Sequence, residues 1–149
     1  MYHRHIMQSI MEALADTPVN LIFGPRQAGN STLCNQLLRE GIFKGQAVTL
    51  DDPALLAGAQ SDPLGFLQDL QKHVIIDEVQ RAPELFLSIK KLVDEDRKGR
   101  RIILTGSANV MMLPKIADSL AGRIEIHNLW PLSQTEIYGI KSNFLQTLV

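Results

Sequence analysis

Between residues 19 and 40 the chain runs through an apolar stretch, a glycine-bounded loop and an amphipathic stretch, and this order restricts the folds open to it more than any other feature. Val19-Asn20-Leu21-Ile22-Phe23 is short, β-prone and mostly apolar, and it stops at Gly24, as expected of a strand buried on both faces. Leu33, Leu37 and Leu38 then form one apolar stripe and Gly41 supplies a stop, which predicts a helix over about Asn30 to Glu40. The stretch between them, Gly24-Pro25-Arg26-Gln27-Ala28-Gly29-Asn30-Ser31, has the spacing G-x-x-x-x-G-[Lys]-[Ser/Thr] of a phosphate-binding loop. In such a loop backbone N–H groups curl around phosphate, the lysine carries charge to the β/γ-phosphates and the hydroxyl ligates Mg²⁺. Here Asn30 stands at the lysine position.

The remaining chain repeats the alternation of strand and helix. Residues 6–15 place Ile6, Met7, Ile10, Met11 and Leu14 at helical spacing, closed by Asp16-Thr17-Pro18. Residues 46–50 read as a second strand ended by Asp51-Asp52-Pro53, and residues 54–71 as two short helices interrupted at Ser61-Asp62-Pro63. His73-Val74-Ile75-Ile76-Asp77 is a third strand ending in a carboxylate. Pro83 is expected to start a helix that carries Leu85, Phe86, Ile89, Leu92 and Val93 on one side. A charged turn leads to a fourth strand at Ile102-Ile103-Leu104-Thr105. A helix over 110–120, broken near Pro114, a fifth strand over 123–129 and a helical pattern from Pro131-Leu132-Ser133 complete the pattern. Strands alternating with helices predict an α/β fold on a parallel sheet, whose ligands bind at the carboxyl ends of the strands. Those ends hold Gly24 to Ser31, Asp51-Asp52, Asp77-Glu78 and Thr105 to Asn109.

Composition narrows the function classes. At 149 residues the chain has the size of one domain, able to bury about 70% of its unfolded surface without a disulfide or metal. A net charge of -1 leaves no overall electrostatic footprint for nucleic acid, so none is expected as a partner. The run Arg97-Lys98-Gly99-Arg100-Arg101 reads as a solvated turn, with phosphate binding as its alternative. The single cysteine, Cys34, cannot form an intramolecular disulfide. No apolar run approaches the length of a membrane span, and Met1-Tyr2-His3-Arg4-His5 leads into no signal-type core, so the expected location is the cytoplasm.

An Asp-Glu pair behind a buried strand and downstream of a glycine loop is what nucleotide hydrolysis requires, one carboxylate for the Mg²⁺ shell and one to orient or deprotonate water. As an isolated pair, Asp77 and Glu78 would instead read as a cap or surface turn. Thr105, Ser107 and Asn109 supply polar groups where γ-phosphate or water could sit, or form an ordinary Gly-Ser turn. Asp51 and Asp52 suit turn formation as well as ligand positioning. Arg123 either pairs with a carboxylate on the surface or reaches a neighbouring subunit's phosphate.

Gly24 to Leu33, Ile75 to Leu85, Ile103 to Asn109, Leu120-Ala121-Gly122-Arg123-Ile124 and Trp130-Pro131-Leu132-Ser133-Gln134-Thr135-Glu136 together resemble the successive motifs of prokaryotic AAA+-type P-loop ATPases. The resemblance implies a P-loop NTPase three-layer sandwich with a central parallel five-stranded sheet in the order 5-1-4-3-2 and helices on both faces, and ATP with Mg²⁺ as ligands. By resemblance Gly24, Pro25, Arg26, Gln27, Ala28, Gly29, Asn30, Ser31 and Thr32 form Walker A and hold the nucleotide. Ser31 and Asp77 hold the metal, and Glu78, in Walker B, serves the attacking water. Ser107 or Asn109 senses the γ-phosphate, and Arg123 is a candidate arginine finger, which leaves a homo-oligomer and a further protein partner open.

Two departures separate the chain from such ATPases. Members ordinarily carry lysine where Asn30 stands, and they continue into a helical lid and a C-terminal domain, so residues 1–149 are expected to form the nucleotide-binding core alone, without lid or C-terminal domain. Exchanging an ammonium for a neutral amide removes a charge-assisted contact worth roughly 1.5 to 3 kcal/mol, or about ten- to a hundredfold in affinity. The expectation is therefore a domain that binds ATP or ADP with hydrolysis impaired or lost, which leaves open whether it is an enzyme. The alternative is a non-catalytic module that keeps the P-loop fold to bind protein or nucleic acid.

Overall fold

Among the described residues five short strands pair in parallel throughout, in the order β2-β3-β4-β1-β5. They are β1 (Val19–Gly24), β2 (Gln46–Thr49), β3 (His73–Asp77), β4 (Arg101–Ser107) and β5 (Ile124–Asn128). The order is 5-1-4-3-2 read from the other edge, as the resemblance implies. The helices are α1 (Tyr2–Leu14), α2 (Asn30–Arg39), α3 (Pro53–Ser61), α4 (Pro63–Gln68), α5 (Leu85–Glu95) and α6 (Leu113–Ser119). This computed structural model describes residues 2–24, 30–107 and 113–128, and of residues 2–6, 30–32, 107, 113 and 128 the backbone alone. Pro25 to Gly29, Asn109, the 110–112 start expected for a helix and the Trp130 to Glu136 motif, with the helical pattern from Pro131, lie outside the described residues.

The strands are nearly continuous apolar runs because both faces of the sheet are covered. Val19, Leu21, Phe23, Val74, Ile76, Ile102, Leu104, Ile124 and Ile126 pack on one side with residues of α3, α4, α5 and α6. The alternate positions Ile22, Ile75 and Ile103 pack on the other side with Ile10 of α1 and Leu33, Cys34 and Leu37 of α2. Those that are fully buried aliphatics, such as Leu21, Ile22, Ile75, Ile76, Ile102 and Leu37, each contribute about 1.5 to 3 kcal/mol. The result is a three-layer sandwich, and the strand alternation decides which polar end residues face α2.

Local sequence explains most element ends. Gly41 closes α2 at φ 71°, with the Ile42 N–H donating to the Leu37 carbonyl at 3.1 Å, the left-handed stop that glycine permits at least cost. Gly45 follows because a Cβ there would meet the His73 carbonyl oxygen at 2.2 Å. Asp52 caps α3 by accepting from the Ala54 N–H at 2.9 Å, with Pro53 in the first turn. Asp62 caps α4 by accepting from Gly65 N–H at 3.2 Å, and its own N–H closes α3 on Gly58. The break at Ser61-Asp62-Pro63 is thus a junction between two helices, as expected.

Several boundaries differ from expectation: α1 begins at Tyr2, four residues before Ile6, α6 runs through Pro114 within its first turn, and two further shifts have a local reason. The helix expected from Pro83 begins at Leu85, because a 3₁₀ turn over Val79–Arg81 comes first and the Leu85 N–H still bonds the Ala82 carbonyl at 3.0 Å. β4 runs past Thr105 to Ser107, since it stays in register with β1 as far as the pair Gly24 and Ser107.

The basic run after α5 is largely engaged in the fold. The Arg101 guanidinium donates to the carbonyls of Leu14 at 2.7 Å and Ala15 at 3.3 Å, and to those of Arg97 and Arg100 at 2.8 and 2.7 Å. It therefore ties the carboxyl end of α1 to the start of β4. Arg97 donates to the Gly122 carbonyl at 3.0 Å, and Lys72 pairs with Asp96 at 2.5 Å.

Candidate functional site

The parallel register brings the carboxyl ends of four strands into one row. Thr49 pairs with Asp77, Ile76 with Leu104, Ile22 with Thr105 and Gly24 with Ser107. Asp77 and Thr105 follow Ile75 and Ile103 by two residues, so their side chains project on the α2 face. α2 begins at Asn30, which points its first turn of backbone N–H groups toward the same end of the sheet.

Thr105 joins the two carboxylate residues. It is fully buried, its hydroxyl donates to Asp77 Oδ1, and its Oγ1 accepts the Glu78 N–H at 3.1 Å. The Thr49 hydroxyl lies 3.4 Å from Asp77 Oδ2 on the β2 side. Both Asp77 carboxylate oxygens are thereby oriented by strand-end hydroxyls. A single oriented carboxylate suits Mg²⁺, which retains waters and takes further oxygens from phosphate.

Glu78 is no surface turn. It is 7% exposed and sits at φ 60° and ψ 45°, the only non-glycine with positive φ among the described residues. Such a conformation costs about 1 to 3 kcal/mol and persists where neighbouring contacts impose it. The Thr105 hydroxyl holds its N–H, the 3₁₀ turn takes its carbonyl through the Arg81 N–H at 3.1 Å, and the Gln80 amide donates to Oε2 at 2.7 Å. Arg81 is drawn toward β2, with Nε 2.9 Å from Asp51 Oδ1. Asp51 and Asp52 are thus occupied by an ion pair and a helix cap.

A cleft of about 180 Å³ opens beside Asp77 on the α2 face, between Cys34, Asn35 and Leu38 of α2 and Ala47 to Thr49 of β2. Burial, with a smaller contribution from the Asp77 charge, pushes the Cys34 thiol up to about 12. It is a core side chain, not a nucleophile.

The expected site residues are distributed as follows. Gly24, Asp77, Glu78 and the backbone of Asn30, Ser31, Thr32 and Ser107 lie at the carboxyl end of the sheet. Pro25 to Gly29 and Asn109 lie outside the described residues. Arg123 is at the other end, where its carbonyl accepts the N–H of Val19, the first residue of β1. Its guanidinium holds Asp94 at 2.5 Å through Nε and 3.0 Å through Nη2, and this hydrogen-bonded pairing lowers the Asp94 carboxyl below its ordinary range. The surface-pair alternative matches this geometry. Arg123 therefore lies at the end of the sheet opposite Gly24, Asp77 and Glu78.

Thr49 and Gln80 escape sequence reasoning. Thr49 ends a strand beside the more conspicuous Asp51-Asp52, and Gln80 gains its place from a left-handed residue that no periodicity announces. The Asp-Glu-x-Gln spacing is the one local signal for Gln80.

A strand-end row with an oriented Asp-Glu pair, on a sheet ordered 5-1-4-3-2, has the architecture of a P-loop ATPase core. Residues 16–138 match the family described as "AAA domain". The chain belongs to that family. The AAA domain is a nucleotide-binding module, and nucleotide with Mg²⁺ is the general ligand of AAA-type ATPases. Two curated relatives are 33% identical over 129 residues: the uncharacterized protein Mb2031c of Mycobacterium bovis and the uncharacterized protein Rv2008c of Mycobacterium tuberculosis. The match covers 86% of this chain and 28% of each relative, so the chain spans little more than a quarter of their length. No helix among the described residues is long and apolar enough to cross a membrane.

Proposed function

We propose that this AAA domain binds ATP or ADP with Mg²⁺ at the carboxyl end of the sheet and hydrolyses ATP poorly or not at all. The observation behind this reading is the contrast between the intact acidic pair, oriented through Thr105, and the neutral Asn30 at the start of α2. Backbone N–H groups at the first turn of α2 suit phosphate, Ser31 and Asp77 would hold the metal, and Glu78 would orient water and take its proton. Bound Mg²⁺ supplies charge neutralisation on the phosphates. Without lysine the transition state lacks a charge-assisted partner where negative charge grows, so catalysis suffers more than binding. Ser107 and Asn109 are the candidates for contact with the γ-phosphate. Arg123 has no part in its own chain's site, and a role on a neighbouring subunit in a homo-oligomer would require its release from Asp94.

Calorimetry with Mg-ATP and Mg-ADP, beside steady-state turnover, tests the reading. Asn30→Lys is expected to tighten Mg-ATP by about ten- to a hundredfold and to raise turnover, and Glu78→Gln to abolish the turnover gained. Wild-type turnover at ordinary ATPase rates that Glu78→Gln abolishes refutes the impairment. A folded protein that binds no nucleotide at millimolar concentration favours the interaction module instead.

A further inference from the structure

We propose that Gln80 is the positioning residue for Glu78, holding the carboxylate through an uncharged amide donor at the place where it meets water. The assignment rests on the nucleotide-site reading above.

A glutamate at 7% exposure on a left-handed backbone must have its charged atoms satisfied from nearby. Gln80 Nε2 lies 2.7 Å from Glu78 Oε2, a short charge-assisted bond that restrains rotation of the carboxyl group. The amide must present its nitrogen here, because its oxygen would repel the carboxylate. The chemistry of the donor matters. A guanidinium in the same position would draw the carboxylate into an ion pair and weaken it as a base, and the available guanidinium, Arg81, is turned to Asp51 instead. A carboxamide orients the carboxylate and leaves its charge in place.

The same amide touches β4. A Cβ added at Gly106 would come 3.4 Å from Gln80 Oε1, so the amide rests against the strand end between Thr105, which holds the Glu78 N–H, and Ser107. Glu78 is consequently gripped at its backbone by Thr105 and at its side chain by Gln80, and both grips bear on the end of β4. A bond that fixes one reacting group in this way acts on the turnover step more than on affinity, since the nucleotide is held elsewhere.

Two measurements test the proposal. In the unaltered chain, the Gln80 side-chain amide protons are expected to be protected from exchange with solvent, and the protection to be lost in Glu78→Ala. In the Asn30→Lys background, Gln80→Leu is expected to lower kcat about ten- to a hundredfold with the Mg-ATP Kd nearly unchanged. Gln80→Glu, which replaces the donor with a second acceptor, is expected to lower kcat as far as Gln80→Leu does, and Gln80→Asn to restore part of the rate. Unchanged kcat in Gln80→Leu overturns the proposal, as does a rate loss matched by an equal loss of Mg-ATP affinity or of folded protein. So does an Asn30→Lys protein that binds Mg-ATP without any Glu78-dependent turnover. Failure to bind nucleotide at all is a separate result that overturns the parent reading, and this proposal with it.

Discussion

Thr105 shows how much can hang on one hydroxyl. Its Oγ donates to Asp77 and accepts from the Glu78 N–H inside a fully buried environment. Thr105→Val keeps the shape and strands both partners, so unfolding free energy is expected to fall by about 1 to 3 kcal/mol, read from urea denaturation, whereas Thr105→Ser should retain most of it. An unchanged midpoint in the valine variant would mean that the two groups find other partners. From sequence, Thr105 is one of three polar residues at a strand end, with no reason to single it out. The carboxylates are legible because Asp-Glu behind an apolar run is itself a pattern. Their partners are not, since the Thr105 to Asp77 contact spans 28 residues of sequence.

At the scale of elements, local chemistry announces itself well. Apolar period, Gly41, Asp52-Pro53 and Asp62-Pro63 place α2, α3 and α4 by mechanisms confined to a few neighbouring residues. The 3₁₀ turn at Val79–Arg81 is the exception, because the backbone of Glu78 is imposed by β4 and not by its own sequence. α1 depends on a distant partner too. Arg101 takes the carbonyls of Leu14 and Ala15, and Arg101→Met is expected to weaken the fold by about 1 to 2 kcal/mol. Hydrogen exchange should quicken across α1 while α5, which Arg101 does not cap, stays protected. Equal acceleration in both helices would show that Arg101 supports the whole molecule and not this junction.

For the molecule as a whole, the pH response follows from what the sheet buries. His127 on β5 is 4% exposed, its Nε2 lies 2.9 Å from Asn20 Oδ1 on β1, and burial lowers its pKa from 6.5 to about 4 despite Glu125 at 3.7 Å. A depressed histidine adds stability that is fully present above pH 6.5 and lost as pH falls toward 4, by about 3 kcal/mol. Glu125 opposes it. Burial, with Asp16 and Glu12 nearby, raises that carboxyl, so its contribution improves as pH falls. Comparing the wild type with His127→Gln by urea denaturation from pH 7 to pH 4 isolates the histidine: the wild type should lose about 3 kcal/mol relative to the variant. A constant gap would refute the depressed pKa. The sequence by itself determined the alternation of elements, the parallel α/β class, the glycine loop with Asn30 at the lysine position and the Asp77-Glu78 pair, because periodicity, capping and turn chemistry act over a few residues. Tertiary structure alone decided that Thr105 and Gln80 grip Glu78, that Arg101 caps α1, that His127 lies under cover and that Arg123 sits at the end of the sheet opposite Asp77 and Glu78. Those contacts join strands and helices distant in sequence, and only strand order, register and the two covered faces of the sheet bring them together.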